Sequence, residues 1–265
     1  MFTQSFTDVD ALLYDEVVPD WPGEMDFYRK LALETKARGE SLLEVACGTG
    51  RIAARLARDS VHVTGMDLSN DMLNIAREKT RELPNARWVL ANMRLFELNE
   101  RFGLAIIPGH SFLFMLTPED QISCLSNIYR HLLPGGMLVA HLDHQDLAWL
   151  GEIGSEKYGV FKRGEDRKHP RTGNTIQVSF AWSYERSTQA ATLLQVWQEV
   201  DANGRVLHRW EWEPKHFHCV FRYEMEHLLA RVGFEDTRVY GDFLQNDLGN
   251  DSSEMVWVAR RPATE

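Results

Sequence analysis

Short apolar runs alternate along most of this chain with stretches whose apolar residues recur every three or four positions, which is the pattern of strands followed by helices. Leu42-Leu43-Glu44-Val45 suits a buried parallel strand, the glycines Gly48 and Gly50 suit a tight turn, and Arg51-Ile52-Ala53-Ala54-Arg55-Leu56 restarts at helical spacing. Val61 to Asp67 reads as the next strand. Ser69 caps a predicted helix from Asn70 to about Glu82, and Arg87 to Leu90 is a short third strand. Gly103 to Ile107 is the fourth. Thr117-Pro118-Glu119-Asp120 opens a helix reaching about Leu132, Pro134-Gly135-Gly136 stops it, and Met137 to Leu142 is the fifth strand. Ahead of this series, Phe27, Tyr28, Leu31 and Ala32 share one side of a helix closed by Gly39. At the far end, the pattern predicts a helix from Phe221 closed at Gly233, a sixth strand Glu235 to Tyr240 and a closing strand Met255 to Arg260.

The pattern changes in between. From Gly151 to Gly173 glycines and charges dominate with little periodicity, which reads as a mobile connection or lid. Ile176, Val178, Phe180, Trp182 and Tyr184 then alternate with smaller or polar residues as in a half-buried strand. Two further strands, about Ala191 to Val200 and Arg205 to Glu213, are joined by the hairpin signal Asp201-Ala202-Asn203-Gly204, and His216 to Phe221 is a candidate fourth. The expected fold is α/β: a doubly wound, seven-stranded, mostly parallel sheet with an antiparallel β insertion. Its divisions are residues 1–150 for the core, 151–220 for the insert and 221–265 for the end of the core sheet.

Composition narrows the chemistry. With 265 residues, 44% of them hydrophobic and 26% charged, the chain can bury one substantial core. Its net charge of −10 and pI near 5.5 argue against a surface built to neutralise nucleic-acid phosphates. Cys47, Cys124 and Cys219 are far apart and odd in number, so neither a disulfide framework nor a cysteine zinc site is expected. The N-terminal Met1-Phe2-Thr3-Gln4-Ser5-Phe6-Thr7-Asp8 lacks a basic start and an apolar core, and no apolar run is long enough to span a bilayer. A cytoplasmic protein without a membrane partner is the expectation.

The glycine turn is the first candidate site. Glycines there let a bound cofactor reach the backbone where a Cβ would collide. Asp67 falls 19 positions after Gly48, near the spacing at which a carboxylate meets a ribose diol. Glu44, just below the turn, would repel a pyrophosphate and suits a ligand carrying an ammonium and a sulfonium, which favours S-adenosylmethionine over NAD.

In these residues, and in Gly65-Met66-Asp67-Leu68-Ser69, Ala91-Asn92-Met93-Arg94 and Leu133-Pro134-Gly135-Gly136, the chain resembles the class I S-adenosylmethionine-dependent methyltransferases. Matching motifs run from about Tyr14 to Leu142 and resume from Phe221 to Pro262. The resemblance implies a closing strand antiparallel to the others and a cofactor bound by the first-strand turn, Glu44 through Ala46 and Gly48 to Gly50. It further implies Tyr14 at the methionine carboxylate, Asp67 at the ribose, and Leu68, Met72, Asn92 and Met93 about the adenine. Within the class the chain looks most like bacterial small-molecule methyltransferases with a β insert, whose members include amino-sugar N-methyltransferases.

The acceptor side is read from the ends of the fourth and fifth strands, because ligands of parallel sheets sit beyond the carboxyl ends of the strands. His110 is the first candidate proton acceptor, with His141 and Asp143 beside it; an amine or electron-rich carbon would need alignment more than a base. Asp143, His144 and Asp146 could ligate a cation, but the fourth-strand loop supplies no further acids, so no metal is expected. Tyr28, Trp182 and Trp197 are candidate substrate contacts, since the insert holds four of the eight tryptophans and such rings suit planar or hydrophobic ligands. The insert would cap the pocket or make a homodimer contact. An N-, O- or C-methyltransferase of a small molecule is therefore expected; an NAD-dependent oxidoreductase, a cofactor-binding protein without turnover and a nucleic-acid methyltransferase are the alternatives.

Overall fold

The structure is a computed structural model that describes residues 8–18, 20–155 and 160–263. The chain divides into two compact units. The larger begins with α1 (Asp8–Val17), α2 (Glu24–Ala37), β1 (Leu42–Val45), α3 (Ala53–Arg58), β2 (Val63–Asp67), α4 (Asn70–Lys79) and β3 (Ala86–Leu90). It continues through β4 (Phe102–Ile107), a 3₁₀ turn over Ser111–Phe114, α5 (Pro118–His131) and β5 (Leu132–Asp143). The smaller unit, Asp146–Cys219, contains α6 (Leu147–Ser155), the two-residue strands β6 (Lys162–Arg163) and β7 (Arg167–Lys168), β8 (Thr175–Glu185), β9 (Ala190–Val200), β10 (Val206–Glu211) and β11 (Lys215–His218). The larger unit then closes with α7 (Arg222–Val232), β12 (Glu235–Tyr240) and β13 (Glu254–Arg260).

The seven strands of the larger unit lie in the order β12-β13-β5-β4-β1-β2-β3. β5, β4, β1, β2 and β3 pair in parallel, and β13 runs antiparallel to both β5 and β12. β1, β2 and β4 are buried along their whole length, which is why their sequences are apolar runs without alternation. The core joins Leu42, Val63, Leu104, Ile106 and Val139 of the sheet to Ile52 and Leu56 of the first crossover and to Tyr28 and Phe243. Chain order reverses between β1 and β4, and the crevice at that switch point is where ligands of such sheets bind.

Local chemistry accounts for the element ends. Ser69 accepts from the Met72 N–H to start α4, and Thr117 accepts from the Asp120 N–H with Pro118 in the first turn of α5. Gly65 in β2 is required by packing: a Cβ would stand 2.3 Å from the Trp88 ring, whose indole N–H is fixed on Thr80 Oγ1 at 2.8 Å.

Three features differ from the sequence reading. Two helices were not expected. α1 reaches Val17 through Tyr14 and Asp15, its buried Ala11 and Leu13 supplying an inner face. α6 occupies part of the supposed mobile connection: Asp146 Oδ1 accepts from the Ala148 and Trp149 N–H groups as a cap, and Leu150 and Ile153 are buried at helical spacing despite Gly151 and Gly154. β6 and β7 pair with β8 in the same segment; residues 156–159, and Met1 to Thr7 of the N-terminal stretch, lie outside the described residues. Finally, β5 begins at Leu132 and runs through Pro134-Gly135-Gly136, with its register against β4 shifted there.

In the smaller unit the long hairpin β8-β9 is flanked by β10 and β11 on β9 and by β6 and β7 on β8. No described helix of the chain is long and apolar enough to cross a membrane.

Gly65→Ala should cost about 1–3 kcal/mol of stability, because the Trp88 ring cannot give way by the required distance. Urea unfolding checks this, and an unchanged midpoint would show that the ring is not held against β2.

Candidate active site

The glycine turn brings the end of β1 against the end of β2. Gly48 and Gly50 sit at φ 53° and 71°, and Ala46 at 55°, so the chain bends back through left-handed conformations before α3. The bend aims amides at two buried carboxylates. The Gly48 N–H donates to Asp67 Oδ2 at 2.8 Å and the Ser69 N–H to Asp67 Oδ1 at 2.8 Å. The Ala53 N–H donates to Glu44 Oε2 at 2.7 Å. Each Asp67 oxygen keeps a second lone pair, and the side chain is near the surface of the crevice at 9% exposure. Those are the requirements of a carboxylate that receives two vicinal hydroxyls.

Burial pushes the Glu44 carboxyl up to about 8, opposed by the Ala53 amide and the Arg51 guanidinium. Burial raises Asp67 as well, against the Ser69, Gly48 and Leu68 amides. The Tyr14 ring covers the turn, 3.5 Å from where a Gly48 Cβ would stand, and burial raises its hydroxyl to about 12. Behind the turn Arg51 is held by Glu24 at 2.6 and 2.8 Å and by Asp20 at 2.5 Å. A cleft of about 300 Å³ opens there, lined by Asp15, Asp20, Gly50, Arg51, Arg55 and Lys79 among others. Of its cations, Arg51 and Arg55 pair with Asp20 and Lys79 with Asp15, while Arg58 donates to the Lys79 carbonyl.

The other predicted cofactor residues follow along the same edge. Leu68 is 43% exposed just past Asp67, Met72 is buried in α4, Met93 is buried after β3, and Asn92 Oδ1 accepts from the Arg94 N–H at 2.9 Å. Tyr14, Glu44, Ala46, Gly48, Gly50 and Asp67 thus converge on one turn.

On the acceptor side His110 and His141 meet. Their Nε2 atoms lie 3.2 Å apart, and each is 2.7 Å from Glu254 Oε2. Trp21 Nε1–H donates to Glu254 Oε1 at 3.1 Å, and its ring packs edge-on against both imidazoles. Burial alone would raise the Glu254 carboxyl, but hydrogen bonds from His110 and His141 outweigh it and hold it down to about 2. Burial lowers His141, with Glu254 opposing.

Three expectations need correction. The carboxylate that meets His110 is Glu254; Asp143 is its backbone pairing partner across β5 and β13. Tyr28 has no exposed surface and packs against Phe27 and Phe243, so it is a core residue and not an acceptor contact. Trp197 is buried on Trp212 inside the insert's own sheet. Trp182 is half-buried against Trp149 and Phe217. Glu254 and Trp21 were missed as site residues. The signal for Glu254 was its place at the head of the closing strand: once that strand lies antiparallel beside β5, Val256 falls opposite His141 and Glu254 opposite Asp143.

Residues 42–136 match the family model of the methyltransferase domain. The chain carries a methyltransferase domain. The glycine turn, Asp67 and the end of β3 all fall inside it, and the strand order with an antiparallel β13 is the class I, S-adenosylmethionine-dependent fold. Over 257 residues this methyltransferase is 28% identical to the Bacillus subtilis (strain 168) protein named Putative methyltransferase YqeM, covering 96% of each chain. It is 30% identical over 139 residues to the dTDP-3-amino-3,4,6-trideoxy-alpha-D-glucopyranose N,N-dimethyltransferase of Streptomyces venezuelae, covering 52% of this chain and 57% of that one. In structure it is similar to the S-adenosylmethionine-bound amino pentose methyltransferase CalS10 of Micromonospora echinaspora, at a TM-score of 0.68 and 20% identity over 98% of this chain and 99% of that one.

Glu44 gives a pH test. Its folded value of about 8 stands above the ordinary 4.5, so the folded protein keeps a proton that the unfolded chain gives up. The stability this group contributes is fully present below about pH 4.5 and is lost as pH rises through about 8. In urea unfolding between pH 5 and 9, Glu44→Gln should lose less stability with rising pH than the parent; equal slopes would contradict the buried, protonated carboxyl.

Proposed function

We propose that this methyltransferase holds S-adenosylmethionine across the carboxyl ends of β1, β2 and β3 and passes the methyl group to an amine of a small molecule. The observation that carries the cofactor placement is the Asp67 carboxylate, oriented by the Gly48 and Ser69 amides with a lone pair left on each oxygen. The ribose hydroxyls occupy those lone pairs. The cofactor's ammonium, bound beside Glu44, favours the ionised form of that carboxyl, and Tyr14 closes over the methionine end. Leu68 and Met72 flank the adenine, with Asn92 and the Met93 backbone at its edge.

The cofactor supplies an electrophilic methyl group on a sulfonium. The protein's part is alignment: it holds the nucleophile in line behind that methyl group in a dry crevice, an effect worth up to roughly 7–11 kcal/mol of barrier. A neutral amine needs no base before attack, which suits an acceptor edge where His110 and His141 are both engaged with Glu254. The amino-sugar activity of the Streptomyces venezuelae relative supports the amine acceptor, and the net charge of −10 supports a small molecule over nucleic acid.

Asp67→Ala should weaken S-adenosylhomocysteine binding by on the order of 100-fold or more, the loss of two hydrogen bonds to a charged group. Calorimetry checks this; unchanged affinity would remove Asp67 from the ribose. Incubation with S-adenosylmethionine and panels of small amines, phenols and RNA, read by mass spectrometry, should show methyl gain on amines. Transfer to RNA alone would overturn the acceptor assignment.

A further inference from the structure

The cluster of His110, His141 and Glu254 is not used by the cofactor pocket, and its geometry asks for an explanation of its own. Three segments far apart in sequence deliver one donor atom each to a single point: the loop after β4, β5 itself and the head of β13. The two Nε2 atoms and Glu254 Oε2 are separated by 2.7, 2.7 and 3.2 Å. The protein spends backbone strain to make this happen. His110 sits in the left-handed region at φ 62°, directly after Gly109 at φ 63°, and without that double turn its imidazole would not fold back over β5.

Hydrogen bonding alone satisfies the cluster poorly. Both imidazoles would have to present an Nε2–H to the same oxygen, which leaves the lone pair of each ring on Nδ1. For His141 that atom is buried and has no hydrogen-bond partner, in a ring packed against Trp21 and Phe243. An N–H is tolerated against aromatic rings, whereas a lone pair gains nothing there. The opposite tautomer puts the hydrogen on Nδ1 and turns both Nε2 lone pairs toward the carboxylate. A bound metal ion accepts both of those lone pairs and the carboxylate together.

We propose that His110 Nε2, His141 Nε2 and Glu254 Oε2 form a binding site for a divalent transition-metal ion. Metal–nitrogen and metal–oxygen bonds of about 2.0–2.2 Å place neighbouring donors about 3 Å apart, close to the separations found here. Two imidazoles and one carboxylate suit zinc, cobalt or nickel, and a magnesium ion would want more oxygen donors. The surroundings support the ligands: Trp21 Nε1–H holds the second carboxylate oxygen at 3.1 Å, and strand pairing between β5 and β13 fixes the backbones of His141 and Glu254. His141 has no side-chain exposure, but His110 and Glu254 are 26% and 13% exposed, so the ion's remaining position faces an entry path. Water or a donor atom of the acceptor fills that position. The site differs from the cation set Asp143, His144 and Asp146 weighed from sequence, and it shares no ligand with it.

The test uses the whole chain, stripped of metal with a chelator, and equilibrium dialysis against zinc, cobalt or nickel with the bound ion counted by mass spectrometry. One equivalent of at least one of these ions should bind at micromolar or lower concentration, and cobalt should give a visible absorption band from nitrogen and oxygen ligation. Glu254→Gln and His110→Ala should weaken binding on the order of 100-fold, while His144→Ala, whose Nδ1 instead lies 2.8 Å from the Ser252 carbonyl oxygen, should bind as the parent does. His110 is the informative position because its side chain is the most open of the three, so its removal leaves the fold intact by circular dichroism. Absence of stoichiometric binding, or binding unchanged in both His110→Ala and Glu254→Gln, would overturn the proposal and leave a hydrogen-bonded cluster only.

Discussion

Two buried carboxylates capture backbone amides at the glycine turn, and the cofactor edge depends on them. Asp67 binds the Gly48 amide across the β1–β2 boundary and the Ser69 amide at the start of α4; Glu44 binds the Ala53 amide at the start of α3. Each of these amides belongs to a helix start or a tight turn with no helical partner of its own. A carboxyl oxygen that accepts from such a group spares both partners the penalty of lying buried and unpaired. The same bonds fix the turn in its left-handed geometry and hold the side-chain oxygens where a ligand meets them. Shape and affinity therefore come from one set of contacts.

A second layer fastens the front of the molecule to this turn. Glu24, fully buried at the start of α2, grips Arg51 through both guanidinium nitrogens, and Asp20 shares one of them. Arg51 in turn lies 5.6 Å from the Trp21 ring centroid, and Trp21 reaches Glu254. A buried pair of this kind adds little net stability over apolar packing, yet removing one partner strands a charge. Its effect is to fix position: the segment before α2 is set against the turn on one side and the His110–His141–Glu254 cluster on the other.

Much of this was legible in the sequence because the larger unit obeys simple rules. β1, β2 and β4 are buried on both faces and read as apolar runs; Gly48, Asp67 and Ser69 carry spacing signals that stem from backbone geometry. α6 was hidden because Gly151 and Gly154 resemble a linker, although Asp146 caps the helix and Leu150 and Ile153 keep the spacing. Tyr28 and Trp197 were misjudged because an aromatic side chain looks the same in sequence whether it lines a pocket or fills a core; only burial separates them. Glu254 is hard to read for a topological reason. It lies 144 residues from His110, and only the antiparallel insertion of β13 beside β5 brings the two together.

A crystal structure of the protein with S-adenosylhomocysteine tests the ribose-facing role of Asp67 most directly. Both ribose hydroxyls should lie within hydrogen-bonding distance of the Asp67 carboxylate, with the Gly48 and Ser69 amides still on its oxygens. A ligand bound at another edge of the sheet, or one whose ribose leaves Asp67 without a contact, would contradict it.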